Sequence, residues 1–401
     1  MERVPVAVVG AGQAGLAVSH ELAGLGVDHV VLERGRVGQT WRDRWDSFCL
    51  VTPNWSVQLP GGAYDGPDPD GFMPRDEIVR FLERYAAGFD APVREGVEVE
   101  RVDAGDGFVL QTSAGDLAAG ALVVATGTYR RPHLPAAAAS LPDGLLRLTA
   151  EDYRSPAALP DGAVLVVGSG QSGSQIAEEA HTAGREVVLA CGKAPWTLRR
   201  PGGRDLVWWA LESGFLDGGV DALPGPAARL SANVLATGKD GGHDLHLRTL
   251  RELGVTLAGR FLGAEDGSAR FAPDLAESVA WGDERYRELA GLFEGLARER
   301  GLRLALDEPP PFDGAAPESF PLERLGAVVF TSGFRPDYAS WLPWPDAFDA
   351  AGFPVQRDGA STVVPGLFFV GVHFQRKRKS SLLLGVGEDA TIVARRIANV
   401  S

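Results

Sequence analysis

The sequence predicts an α/β protein with two Rossmann-like dinucleotide-binding domains, and three observations carry that prediction. Short apolar runs at Val6–Val9 and Ala163–Val167 suit strands buried on both faces. A glycine hexapeptide follows each run at once: Gly10-Ala11-Gly12-Gln13-Ala14-Gly15 and Gly168-Ser169-Gly170-Gln171-Ser172-Gly173. Each hexapeptide opens a helix-period segment that leads to a second apolar run, His29–Leu32 and Glu186–Ala190. A lone GxGxxG says little in a chain with 51 Gly, but the order strand, glycines, helix, strand occurs here twice.

In the first unit each residue type has a physical reason. Pro5 sits just before the strand, where a missing N–H costs the ladder least. Gly10 permits the tight turn, Gly12 lets backbone N–H groups approach a pyrophosphate, and Gly15 lets helix and strand pack closely. Gln13 and Ala14 share that turn, and the phosphates lie at the positive end of the helix. Glu33 ends the second strand about 20 residues beyond the glycines, where a carboxylate accepts hydrogen bonds from ribose hydroxyls. That acid, followed by Arg34, favours an unphosphorylated ribose, hence FAD or NAD.

The stretch 34–62 carries neither strand nor helix period, and its aromatics suggest a loop packed on a ligand. Tyr64–Gly71 is turn-rich, and its likeness to a calcium loop fails at Gly66 and at two prolines. A helix is predicted over Arg75–Gly88, strands over Val97–Val102 and Phe108–Thr112, and a buried strand over Ala121–Thr126 closing on Gly127. Prolines from Pro132 to Pro160 mark a domain boundary. The second unit lacks an acid where Glu33 stands in the first, and Lys193, Arg199, Arg200 and Arg204 follow instead. Such cations suit a 2′-phosphate, so NADPH over NADH, or else form a solvated basic loop.

Beyond residue 200, His243 and His246 are three apart with no third ligand, so no metal site is expected, and a helix cap at Asp244 or His243 is. Gly254–Phe271 reads as a small hairpin and Asp283–Arg300 as a helix. Ala327–Gly333 and Gly366–Gly371 read as strands ending in glycine, and GVGEDA at 385–390 opens a last helix whose N-terminus, with Gly371, can face phosphates or a flavin ring. Arg376–Lys379 is either a solvated loop or a cationic wall for NADPH or an anionic substrate. The expected domains are 1–158 with 326–401 for FAD, and 159–325 for NAD(P)H, with 201–325 shaping a substrate pocket.

A net charge of −14 argues against sequence-independent nucleic-acid binding. No apolar run reaches the ~20 residues of a membrane helix, and the N-terminus leads straight into the first strand, so a cytoplasmic protein is expected. Cys49 and Cys191 are far apart, which leaves no CxxC pair and no cysteine-rich zinc site.

The quoted units, with GQTWRDRWDSFCLVTP at 38–53, VATG at 124–127, TSGFRPD at 331–337 and GVGEDA, resemble class B flavoprotein monooxygenases, which include microsomal-type and plant YUCCA-type enzymes. The resemblance implies a two-domain flavoprotein of the glutathione-reductase and flavin-monooxygenase type, with FAD on the first unit and NADPH on the second. Thr40 and Trp41 match the flavin-contacting GGxW segment, with Gln39 in place of its second glycine, and Val99 matches the valine whose backbone meets the adenine. Ala125, Thr126, Gly127, Gly371, Leu384 and Asp389 complete the implied flavin set, and Lys193 and Arg200 the implied 2′-phosphate set.

The implied reaction oxygenates a small organic substrate with O₂ through a flavin C4a-(hydro)peroxide, FAD carrying the hard chemistry and the protein excluding water. Asn54 is the candidate polar catalytic contact, with Trp55 and Phe374 as pocket walls or plain packing. The FxGxxxHxxx(Y/W/F) signature of many members is absent here, with Asp143, Leu145 and Thr149 before Tyr153. That departure leaves open an FAD-dependent oxidase or dehydrogenase of an amine or alcohol. A thiol reductase relying on Cys49 and a non-catalytic nucleotide sensor are the remaining readings, and a homodimer is compatible with all of them.

Overall fold

The computed structural model describes residues 1–105, 107–223 and 225–399, with the backbone alone at Ala222 and Pro226. Strand β1 (Glu2–Val9) turns through the first glycine motif into α1 (Gln13–Gly24) and β2 (His29–Glu33). Helix α2 (Arg75–Ala87) buries Ile78, Phe81, Leu82 and Tyr85 along one face and places Asp76 and Glu77 in its first turn, where they face the positive helix end. Strands β3 (Val93–Glu95), β4 (Val99–Gly105), β5 (Gly107–Thr112) and β6 (Leu117–Val124) complete this stretch.

Strand β7 (Leu146–Thr149) then leads to β8 (Ala163–Val167), α3 (Gln171–Thr182) and β9 (Val187–Ala190). Helices α4 (Leu206–Glu212) and α5 (Leu247–Leu253) precede strands β10 (Thr256–Ala258), β11 (Phe261–Glu265) and β12 (Ser268–Phe271). Helix α6 (Leu275–Glu299), strands β13 (Ser319–Pro321), β14 (Leu325–Phe330) and β15 (Leu367–Phe369), and helix α7 (Val386–Ala398) finish the chain.

Two sheets result. In the first, β3, β2, β1, β6 and β15 lie side by side and parallel, and β5 pairs antiparallel with β6. In the second, β7, β14, β8, β9 and β10 are all parallel. Both central strands are buried on two faces, which is why they read as continuous apolar runs. Val6 and Val8 enter one core of the first sheet, and Ala7 and Val9 the core on its other side. Val164 and Val166 divide from Leu165 and Val167 in the same way.

β7 and β14 fall within the spans expected for the flavin domain, yet both pair in the second sheet. The strand 327–333 ends like 121–127, and each sheet of this type closes on such a turn, so similarity of ending does not tell which sheet a strand joins. The predicted hairpin is also divided: Thr256–Ala258 is a parallel edge strand beside β9, and only Phe261–Phe271 folds back on itself. Helix α5 is capped by His246, not by Asp244 or His243, with the His246 ring accepting from Thr249 N–H and the Thr249 hydroxyl accepting from His246 N–H. Helix α6 starts at Leu275, ahead of the predicted Asp283.

Candidate active site: two dinucleotide cradles

The two glycine motifs fold alike. A Cβ on Gly15 would stand 1.8 Å from the Gly10 carbonyl oxygen, and one on Gly173 would stand 1.8 Å from that of Gly168. The last glycine of each motif is therefore required by the protein's own packing. Gly10 and Gly168 are both left-handed, at φ +105 and +110. The middle glycines differ. Nothing lies within 4 Å of a Cβ built on Gly12, whereas one on Gly170 would meet Ala232 at 3.7 Å.

Gly12 is open because it faces a cavity of about 500 Å³ at the carboxyl ends of the first sheet's strands, within the size range of cofactor pockets. Gly10, Gln13 and Ala14 line its floor with Glu33 and Arg34 beside them. Thr40 and Trp41 come from a short helical turn, Gln39–Arg42, in the stretch after β2 that was expected to hold no helix, and Val99 from the start of β4. Ala125, Thr126 and Gly127 come from the end of β6, and Gly371 from the end of β15. Trp41 Nε1 donates to Gln13 Oε1 at 3.0 Å, and Gln13 Nε2 donates to the Ser381 carbonyl at 3.2 Å, which ties three walls together. Glu33 Oε2 accepts from Ala11 N–H at 2.8 Å and Oε1 from Gly35 N–H at 2.9 Å, so the carboxylate also clamps the glycine turn.

Sequence reasoning missed several polar residues of this cavity, Arg44, Tyr129 and Arg130 among them. Arg44 sits in the quoted 38–53 segment, so a signal was present, while Tyr129 and Arg130 follow VATG in a stretch with no period. Burial pulls the Arg44 guanidinium below its ordinary value and pushes the Tyr129 phenol up, the latter opposed by its hydrogen bond with Asn233.

Four expected residues lie elsewhere. Asn54 is buried with both ends of its amide in use, Nδ2 donating to the Asp68 carbonyl at 2.9 Å and Oδ1 accepting from Met73 N–H at 2.7 Å. It pins the 53–73 loop and does not line the cavity. Leu384 packs in an apolar cluster with Trp55, Leu206 and Val207 between the two halves. Asp389 is buried against Arg376 at 3.0 Å, and burial raises its carboxyl. Gly15 is packing alone, as above.

The second cradle is laid over by chain. Gln171 and Gln175 both donate to the Ala236 carbonyl, and Ser169 Oγ bridges to Gly192 N–H and carbonyl at 3.0 Å each. Ser172 is half-buried in the first turn of α3. Of the four expected cations, Arg199 is buried and held by Asp205 at 2.7 Å, and Arg204 lies over the Trp208 ring. Arg200 is exposed and donates to the Gly241 and Gly242 carbonyls at 2.6 and 2.7 Å, while Lys193 is exposed just past β9. Lys193, Arg200 and Arg204 are thus the exposed cations of this loop, and Arg199 is not. Burial pushes the Cys49 thiol up to about 11 and the Cys191 thiol to about 12, and the two form no disulfide, so neither is a ready thiolate.

The sequence profile of the pyridine nucleotide-disulphide oxidoreductase family matches residues 7–203, from β1 past the second glycine motif. The chain is 31% identical over 399 residues to the CzcO-like oxidoreductase of Geobacillus kaustophilus, covering 99% of each. The chain belongs to the CzcO-like oxidoreductases. It is also 35% identical over 180 residues to an indole-3-pyruvate monooxygenase of the YUCCA type from Oryza sativa, where it spans about 44% of that relative's length. A double-substituted flavin monooxygenase from Stenotrophomonas maltophilia superposes with a TM-score of 0.70 over 100% of this chain and 99% of that one, at 21% identity, which establishes a shared fold.

The family and this fold imply FAD and NADPH as the cofactors. The first cradle fits FAD on its own geometry: the open face of Gly12, the Glu33 carboxylate beside it, and the Thr126 hydroxyl, buried at the cavity without a hydrogen-bond partner. No cluster of metal-ligating side chains occurs among the described residues, and no helix is long and apolar enough to cross a membrane.

Proposed function

We propose that this oxidoreductase is an NADPH-using, FAD-dependent monooxygenase that inserts one atom of O₂ into a small organic substrate. The observation that supports it most is the first cradle's cavity: it is lined by the flavin-motif residues, it carries an unpartnered hydroxyl, and it contains no cysteine. FAD supplies the redox chemistry when bound. The chain's own residues then have three tasks. Gly10, Gly12 and the N-terminus of α1 receive the pyrophosphate, and Glu33 accepts from the ribose. Gln13 and Trp41 hold the cavity wall through their shared hydrogen bond, so the reacting groups meet a fixed surface. Phe48 and Leu383 line the cavity with apolar surface, which disfavours water there. Lys193 and Arg200 are the residues we assign to the 2′-phosphate of NADPH.

The test is rapid-mixing spectroscopy on flavin-loaded protein. Anaerobic NADPH should bleach the flavin faster than NADH does, and O₂ should then restore the oxidised spectrum in two resolved steps. One-step reoxidation with stoichiometric H₂O₂, or reduction by neither nicotinamide, would overturn the proposal in favour of an oxidase reduced by its own substrate.

A further inference from the structure

The two cradles share one fold and differ at one contact. In each, the glutamine after the middle glycine donates to the carbonyl of a distant loop, Gln13 to Ser381 and Gln171 to Ala236. That contact leaves the first cradle open, so it is not what closes the second. The difference lies at the middle glycine, where backbone must meet a pyrophosphate with no side chain between them. The space in front of Gly12 is the flavin cavity. The same space in front of Gly170 holds the Ala232 methyl, 3.7 Å from where a Cβ would stand.

Ala232 belongs to a short stretch, Ser231–Val234, that is fixed at its two ends to different halves of the molecule. Upstream, Leu230 packs against a core of the first sheet, and Arg229 lies over the Phe353 ring with Asp349 3.7 Å away. Downstream, Leu235 is buried with Trp196 and Tyr286 of the second half, and its N–H donates to the Pro195 carbonyl at 2.8 Å. Between these anchors the hold is slight. Ser231 and Asn233 are exposed, Ala232 is half-buried, and no backbone hydrogen bond among the described residues engages Ala232, Asn233 or Val234. Asn233 hydrogen-bonds with Tyr129, which lines the flavin cavity. The stretch is therefore seated on one cradle and tied to the wall of the other.

We propose that Ser231–Val234 is a strap that occupies the pyrophosphate seat of the second cradle and competes for it with a nicotinamide dinucleotide. Binding then requires the strap to swing off Gly170 between its two anchors, which breaks the Asn233–Tyr129 contact and frees a side chain of the flavin cavity. A protein whose binding-competent form is a fraction of the whole shows an affinity reduced by that fraction. The strap thus sets the apparent affinity of the second cradle, and its displacement is felt at the first. The inference rests on the second cradle taking a nicotinamide dinucleotide, as proposed above.

Flavin-loaded protein is titrated with NADP⁺ and, separately, with NAD⁺, with affinities from calorimetry and rates from rapid mixing followed by tryptophan fluorescence. Ala232→Gly removes the seated methyl, and Asn233→Ala removes the tie to Tyr129. Each should tighten NADP⁺ at least about threefold with the dissociation rate within about twofold, because the strap is already off in the bound state. NAD⁺ should gain by the same factor, since both nucleotides carry the pyrophosphate. Unchanged affinity in either variant would overturn the proposal. So would weaker binding with faster dissociation, which would make the strap a clasp over bound nucleotide. A gain for NADP⁺ alone would place the effect at the 2′-phosphate and overturn it as well. If Ala232→Gly does not fold, Asn233→Ala decides. No binding of either nucleotide to the native protein or the variants would overturn both the strap and the reading of the second cradle. Oxidised nucleotides need no turnover, so the expected tightening in a protein that fails the oxygenation test would uphold the strap and remove only the reaction.

Discussion

Glu33 joins local structure to ligand chemistry. Its two oxygens hold Ala11 N–H and Gly35 N–H, so the side chain that would meet a ribose also closes the turn that would meet the phosphates. Glu33→Ala should therefore act twice. Purified protein should lose most of its flavin, seen as the visible-to-ultraviolet absorbance ratio. The melting temperature should fall as well, since each of two N–H groups left without its partner costs about 1–3 kcal/mol. Asn54 makes the opposite case. Its amide is spent on Asp68 and Met73, so Asn54→Ala should lower stability by roughly 2–4 kcal/mol while leaving the rate of flavin reduction by NADPH within about twofold. A large loss of reduction rate at full flavin occupancy would return Asn54 to the chemistry.

At the scale of elements, the glycine motif separates packing from recognition. Gly15→Ala drives a methyl into the Gly10 carbonyl and should prevent folding of the first domain. Gly12 has an ordinary φ of −82 and open space, so Gly12→Ala should keep the melting temperature of the flavin-free protein yet lower flavin affinity at least about tenfold. Equal damage from both substitutions would remove the distinction. This is also where the sequence was most legible. Strand, turn and helix identities follow from local periods and from backbone positions that only glycine fills, so both cradles could be placed from their residues. Sheet membership could not. β14 is a buried apolar strand whichever sheet it joins, and only its register against β7 and β8 assigns it to the second. Site residues without a period, such as Tyr129, were equally silent, because the residues they pack against, Phe334 and His373, lie hundreds of residues away. The cation rich loop after β9 misled for a related reason: Arg199 has its carboxylate partner within six residues, yet spacing alone does not show which of several acids a guanidinium meets.

For the whole molecule, pH is the informative variable. His246 and His373 are buried, and burial lowers both to about 4. The unfolded chain protonates its histidines near 6.5 and so binds more protons than the folded state between that value and about 4. Stability must then fall as pH drops through this window, by roughly 2 kcal/mol for each histidine at pH ~5. His243 runs the other way. Its hydrogen bond to Glu178 at 2.6 Å raises its value, so its contribution is complete below about 6.5 and is lost as pH rises through the raised value. Denaturant melts of the native protein and of His246→Gln at pH ~5 and pH ~7 should show a smaller pH difference in the variant. An unchanged difference would mean that the His246 ring is already charged in the fold.

The interleaving of the two sheets has a further consequence during synthesis. Strand β15, which covers the open edge of β6, and helix α7, which packs against α1, come from residues 367–398, after the whole second sheet has been made. The second sheet, by contrast, is complete once residue 330 has appeared. On the ribosome the domain that begins first must finish last, waiting with an unpaired strand edge while its neighbour folds inside it. A chain stopped short of β15 would leave that edge exposed, so loss of the last tenth of the protein should be seen as aggregation of nascent chains.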